Sequence, residues 1–421
     1  MEKLVVNSGN QLLGDVDISG AKNAALPLLA SSILAEGEYC FSNVPDLLDI
    51  KTMLTLLEGL CISSKFKGKD IIIKNNGQDD KSHMVAYDLV KKMRASILVL
   101  GPLLAKIKKA KISFPGGCAI GERPIDQHVK ALIAMGARID VKHGYIEANC
   151  DYLKGCDINF DMITVTGTEN IVMASVLAKG ETVIYNAAQE PEVVDLCNLL
   201  RKMGAQIEGD GSNTIRVKGV EGLEPASYRV MGDRIEASTF LCALAAAGGD
   251  IILRNAPAGS MSVVIEKLLE TGLEIHVLDN NTIRARKGIA VKSADIVTQP
   301  YPGFPTDMQA QFMAVMSSAA GVSVITEGIF ENRFMHVAEL KRMGADIVLK
   351  DHSAIVKGVR NLTGTDVVCT DLRAGAGLVV AALLAEGRSN IHSIYHIERG
   401  YDSFDEKLRL LGADIKKVES E

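Results

Sequence analysis

Two kinds of apolar segment alternate along this chain. In the first, nearly every position is Ala, Leu or another small apolar residue, as in NAALPLLASSILAEG, NIVMASVLAKG, ASTFLCALAAAGG and AGAGLVVAALLAEG. A helix that is apolar all round has no face for water and belongs in an interior. In the second, apolar residues recur every three or four positions, as in PEVVDLCNLLRKMG, which leaves a polar stripe for solvent. Short β-prone runs such as ETVIYNAA and DIILRNAP follow the first kind. An alternating hairpin pattern such as QIEGDGSNTIRVKGV follows the second. The order inner helix, strand, outer helix, hairpin predicts one small α/β unit.

The unit repeats. Its marker is the end of the outer helix: LIAMGARIDV, LRKMGAQIEG, LLETGLEIHV, LKRMGADIVL and LRLLGADIKK. The glycines are 136, 204, 272, 344 and 412, spaced 68, 68, 72 and 68 residues apart. Glycine just past a helix end accepts the left-handed turn that stops it. A worn copy, LLEGLCISSKF at 56–66, has Cys61 in the glycine's place, which predicts a locally altered turn. Six units of about seventy residues account for the 421-residue chain. Self-similarity on this scale fixes architecture more firmly than a single motif. The expected fold class is α/β, with two similar lobes of three units each, closed around inner helices.

Polar residues interrupt this scheme at equivalent places. The inner helices are expected to start at SGAKNAA (Lys22, Asn23), KKMRAS (Arg94), TGTENI (Glu169), GDRIEA (Arg234), FPTDMQ (Asp307) and TDLRAG (Arg373). Free N–H groups at a helix start favour an anion, and a cation placed there adds to the attraction. A second set precedes the outer helices: Cys118 with Arg123, Glu190, Arg333 in FENRFMH and Arg399 in HIERGYD. Arginine grips phosphate or carboxylate through two parallel hydrogen bonds. Lys22, Arg94, Arg123, Arg333, Arg373 and Arg399 are thus the expected wall of a pocket for a substrate with several negative charges. Asp307 alone reads as an ordinary helix cap. Cys118, in SFPGGCAIGERP, has two readings. It is a small buried hydrophobe, or a thiol that Arg123 makes reactive on a loop that Gly116 and Gly117 let move.

Composition narrows the classes. There are 46 basic and 52 acidic residues, a net charge of −6, which argues against a nucleic-acid partner. Tryptophan is absent and aromatics are 5%, so the core is aliphatic. The eight cysteines form no CxxC pair and the eight histidines no HExxH, so neither a metal site nor a disulfide framework is expected. The apolar runs are too short to span a bilayer, and MEKLVVNSGNQ is no secretory signal, so a cytoplasmic protein without a membrane partner is expected. The sequence carries no sign of oligomeric state.

SGAKNAALPLL, RAS at 94–96, PGGCAIGERPID, FPTDMQAQF, ENRFMHV, TDLRA and YHIERGY together resemble the enolpyruvyl transferases, and among them the UDP-N-acetylglucosamine 1-carboxyvinyltransferase family. The resemblance runs from residue 3 to residue 417. It implies a two-lobed inside-out barrel of six βαβαββ repeats. The implied lobes are 22–231, with the cysteine loop 112–124, and 1–21 plus 232–421, with Asp307, Arg333, Arg373 and Arg399. The active site lies in the cleft between them. The implied reaction moves the enolpyruvyl group of phosphoenolpyruvate to the 3′-hydroxyl of UDP-N-acetylglucosamine, the first committed step of peptidoglycan synthesis, with no cofactor.

The same resemblance assigns roles. Cys118 is the proton donor and the thiol that fosfomycin alkylates. Asp307 is the base. Lys22, Arg123 and Arg399 hold phosphate and carboxylate, and Asn23 touches the reacting hydroxyl. Arg94, Arg333 and Arg373 complete the clamp. Arg123, Pro124, Ile125, Asp126 and Gln127, with Val165, Thr166 and Ile329, lie along the nucleotide sugar. The chain departs from the family at Leu48 and Met162, where basic residues occur, and at TVTGT (164–168) in place of SVGAT. The rival readings are 5-enolpyruvylshikimate-3-phosphate synthase and a non-catalytic paralogue that binds the nucleotide sugar.

Overall fold

The computed structural model describes residues 2–77, 84–85, 93–113, 125–288 and 290–419, without the Arg94 side chain. Burial separates the two kinds of helix. Leu372–Leu384 is buried at every position from Arg373 to Leu383, and Arg234–Ala247 from Ile235 to Ala246. Pro191–Lys202 buries one face and ends in Arg201 and Lys202, which suit a helix C-terminus.

The repeat is clearest in Asp157–Asn159, Val165–Ser175, Glu181–Tyr185, Pro191–Lys202, Gln206–Glu208 and Thr214–Lys218, in the order β-α-β-α-β-β. The first two strands pair in parallel, and the second and third each pair antiparallel with the fourth. Six four-stranded sheets of this kind occur among the described residues.

The chain divides into two units. The first holds the described residues between 20 and 231, the second residues 1–19 and 232–421. Within the first, Lys22–Ser31, Leu100–Lys106 and Val165–Ser175 form the interior; within the second, Arg234–Ala247, Gln309–Met316 and Leu372–Leu384 do. Small residues let these helices touch. A Cβ on Gly101 would lie 2.2 Å from the Asn170 carbonyl oxygen, and one on Gly377 2.9 Å from that of Ala310. Among the described residues no helix is long and apolar enough to cross a membrane.

Two details differ from the reading of the repeat alone, although the resemblance places residues 1–21 with the second lobe. Three of the six sheets are not built from contiguous chain. Leu12–Asp17 opens the sheet completed by Gly249–Arg254, Thr282–Lys287 and Leu273–Asp279. Glu2–Asn7 lies between Arg388–His392 and Asp414–Glu419. Tyr228–Arg229 opens the sheet of Gly37–Ser42. Helix periodicity says nothing about which strands a sheet takes, so the exchange leaves no pattern. The turn at Cys61 is also not altered. Cys61 adopts a left-handed φ of 64°, as Gly136 (96°) and Gly204 (105°) do. Its N–H donates to Glu58 at 3.0 Å, just as Gly136 donates to Ile133 at 2.9 Å. The fold demands the turn, and Cys61 accepts the strain.

Candidate active site

Asp307 lies in a short 3₁₀ turn, Thr306–Met308, that leads into the inner helix Gln309–Met316. Both its carboxylate oxygens are held. Arg333 Nη2 donates to Oδ1 at 2.7 Å, and Arg373 Nε and Nη2 donate to Oδ2 at 3.1 and 3.0 Å. Arg373 is the second residue of Leu372–Leu384, whose start Asp371 caps by accepting from the N–H groups of Arg373 and Ala374. The cap fixes where Arg373 begins. Burial is the largest single influence on Arg373 and works against its charge, but Asp307, Tyr401 and Asp233 together outweigh it and hold the guanidinium more firmly protonated than usual. The guanidinium also lies over the Tyr401 ring, 5.2 Å from its centre. The arginine side chains are 7% and 4% exposed and that of Asp307 26%, so the cations lie behind a carboxylate that faces outward.

Arg333 belongs to no helix or strand. Its Nη1 donates to Thr306 Oγ1 at 2.8 Å. The Thr306 hydroxyl donates to Glu327, as does that of Thr298 at 2.8 Å. The buried His336 lies near Arg333, and burial pushes its imidazole down to about 4, so it is neutral at pH 7. Arg399 ends the 3₁₀ helix Ile394–Arg399 and is half-buried. Ile329 is partly exposed, and its N–H donates to Glu327 at 3.0 Å.

In the first unit, Lys22 opens its inner helix, is buried, and donates to Asp49 at 3.2 Å. Asn23 beside it is exposed. Ile125 and Gln127 are buried at the start of Asp126–Ala134, while Asp126 is exposed; Gln127 accepts from the Asp161 N–H at 3.1 Å. Val165 and Thr166 begin Val165–Ser175 and are half-buried, with Thr166 Oγ1 3.4 Å from His128 Nε2. Leu48 and Met162 are exposed. Cys118, Arg123 and Pro124 lie outside the described residues, as do Gly116 and Gly117.

One expectation is corrected. Glu169 is not at a helix start, because Val165–Ser175 begins one turn earlier. Its carboxyl is buried in the core, and burial, then Glu192 and Glu190, push it well above the usual carboxylate range. Burial and two neighbouring carboxyls thus favour its protonated form, and it is not an anion at a pocket rim. The structure thus joins Asp307, Arg333 and Arg373 in the second unit, and sets Lys22 on Asp49 in the first.

Sequence reasoning missed Asp49, Thr306, Glu327 and Asp371. A signal for Glu327 existed in the repeat. Asn43, Asn186 and Asn255 each follow the second strand of a unit with φ of 59°, 56° and 57°. Their amides donate to Val230, Phe160 and Ile18 carbonyls at 2.8, 3.0 and 2.7 Å. Glu327 follows Val322–Thr326 at the same place and departs from asparagine. Among the described cysteines, the thiols of Cys197, Cys242 and Cys369 are raised by burial, which makes them poor nucleophiles.

Comparison with known proteins gives one answer. Residues 6–408 match the family described as EPSP synthase (3-phosphoshikimate 1-carboxyvinyltransferase). A UDP-N-acetylglucosamine 1-carboxyvinyltransferase of Geotalea daltonii is 51% identical over 419 residues, covering 100% of both chains. One from Myxococcus xanthus is 50% identical and covers 99% of both. Among solved structures, the enolpyruvyl transferase NikO from Streptomyces tendae shares the fold at a TM-score of 0.89, with 22% identity, covering 100% of this chain and 99% of its own. EPSP synthase from Acinetobacter baumannii does so at 0.78, with 21% identity and 100% coverage of both.

Proposed function

Because the chain belongs to the UDP-N-acetylglucosamine 1-carboxyvinyltransferases, within the EPSP synthase family, we propose that it transfers the enolpyruvyl group of phosphoenolpyruvate to the 3′-hydroxyl of UDP-N-acetylglucosamine. The product is a peptidoglycan precursor. The observation that carries the reading is the Asp307 carboxylate, gripped through both oxygens by Arg333 and Arg373.

The chemistry follows in two steps. In the addition, the sugar oxygen bonds to C2 of phosphoenolpyruvate, the methylene carbon gains a proton, and the hydroxyl loses one. In the elimination, the C2–phosphate bond breaks, the methyl carbon loses a proton, and the double bond re-forms as phosphate leaves. Two arginines keep Asp307 ionised, so it accepts the hydroxyl proton from a fixed direction. The Cys118 thiol supplies the proton for carbon, and fosfomycin alkylates it. Lys22, Arg123 and Arg399 neutralise phosphate and carboxylate, with Asn23 at the reacting hydroxyl and Arg94 on the clamp. The stretch Arg123–Gln127 with Val165, Thr166 and Ile329 follows the nucleotide sugar.

The test is phosphate release from phosphoenolpyruvate with either UDP-N-acetylglucosamine or shikimate 3-phosphate as acceptor. Release is expected with the nucleotide sugar alone and is abolished by fosfomycin pre-treatment. Release with shikimate 3-phosphate alone would move the chain to the sister reaction. Asp307→Asn is expected to lower kcat by roughly 10²–10⁴, the usual worth of general acid–base catalysis.

A further inference from the structure

A base is useful only if its oxygen points at the proton it takes, and a half-exposed aspartate has free torsions. One of the two arginines that fix Asp307 is itself anchored by a capped helix start, because Arg373 is the second residue of Leu372–Leu384. The other, Arg333, has no backbone ladder to hold it. Gln309 Nε2 donates to its carbonyl at 3.3 Å, its guanidinium lies 5.2 Å from the centre of the Phe330 ring, and its second amino group donates to Thr306 at 2.8 Å.

Thr306 is held in turn. Its hydroxyl donates to the Glu327 carboxyl at 3.0 and 2.9 Å. That carboxyl is 2% exposed and cannot rotate, because Oε1 also accepts from Thr298 Oγ1 at 2.8 Å and from the N–H groups of Ile329 and Phe330 at 3.0 and 3.1 Å. The chain runs from a buried carboxyl through a hydroxyl and a guanidinium to the catalytic carboxylate, and each link is of ordinary hydrogen-bond length.

The repeat makes this chain informative. At the matching place in three other units an asparagine donates to a backbone carbonyl, and in a fourth Ser393 follows Arg388–His392 with a φ of 58°. Glu327 reverses the polarity and accepts. That acceptor ties Thr298 and the Ile329 and Phe330 N–H groups together, and it also reaches Thr306 and, through it, Arg333.

We propose that Glu327 and Thr306 are positioning residues for the transfer, which hold Arg333 so that Asp307 meets the sugar hydroxyl in one orientation. The proposal rests on the role given to Asp307 above. It is tested with the full-length protein by measuring kcat from phosphate release and the Kd of UDP-N-acetylglucosamine by calorimetry. Thr306→Val is expected to lower kcat roughly ten- to hundredfold, the worth of one hydrogen bond to a charged group, with Kd changed less than about threefold. Thr306→Ser keeps the hydroxyl and recovers most of the loss. Glu327→Gln, which turns an acceptor oxygen into a donor facing Thr306, lowers kcat in the same way. In an Asp307→Asn background, Thr306→Val has no further effect on kcat, because the two act as one chain. Wild-type kcat in Thr306→Val, or an equal loss in both backgrounds, overturns the proposal while Asp307 keeps its role. Wild-type kcat in Asp307→Asn removes that role and the relay with it.

Discussion

The side chain of Glu169 shows how far a residue's chemistry depends on its depth. On sequence it is a carboxylate near a helix start; in the core, burial favours its protonated form. Its folded pKa lies above the unfolded value, so the folded protein holds a proton that the unfolded chain releases. The sign follows: its contribution to stability is complete below about pH 4.5, the ordinary carboxyl value, and is lost as pH rises toward the raised folded pKa. Glu169→Gln keeps the shape and removes the titration. As pH rises above about 4.5 the melting temperature of the wild type is therefore expected to drop more than that of the variant, as read by calorimetry. Parallel curves would show that the carboxyl is ionised in the fold. Asp307, Arg333 and Arg373 were legible because each stands at or just before a helix in a repeated position. Glu327 and Asp49 were not. A carboxyl after a strand or early in a helix reads as solvated; the asparagines of the other units mark the place of Glu327, but the partners Thr298 and Lys22, distant in sequence, show only in the fold.

At the scale of elements, the helix-stopping turn is the best-read feature and Cys61 its test. The turn keeps the hydrogen bond and the left-handed backbone of its glycine copies, and a side chain in that region costs about 1–2 kcal/mol. Cys61→Gly is expected to recover about 1 kcal/mol, less the entropy that glycine adds to the unfolded chain. Chemical denaturation measures this as a higher midpoint with an unchanged slope. A lower midpoint would mean that the thiol's own contacts outweigh the strain. Inner and outer helices were legible from polarity alone, because an all-apolar helix has one possible environment. Their close contacts were not, since Gly101 and Gly377 are read as helix-weakening until a facing backbone is known.

At the scale of the whole molecule, the repeat count and the two-unit division follow from period, while the strand exchange does not. Residues 2–7 are six among 421, yet Leu4, Val5 and Val6 are buried in the centre of a sheet. Deleting residues 1–10 is expected to leave Arg388–His392 and Asp414–Glu419 without the strand between them. The second unit should then lose its protection from hydrogen exchange, while the unit of residues 20–231, which takes no strand from the deleted stretch, keeps its own. Loss of protection in both units together would mean that they fold as one cooperative body.

The place of Glu2–Asn7 also sets an order in time. This strand leaves the ribosome before every other described strand, but one of its two neighbours, Asp414–Glu419, leaves after all of them. Residues 20–231 have all their strands as soon as Tyr228–Arg229 emerges, and can settle while translation continues. Through all that time the N-terminal strand waits with both edges open. A nascent chain stalled before residue 414 would carry one finished unit and one that no length of waiting can complete.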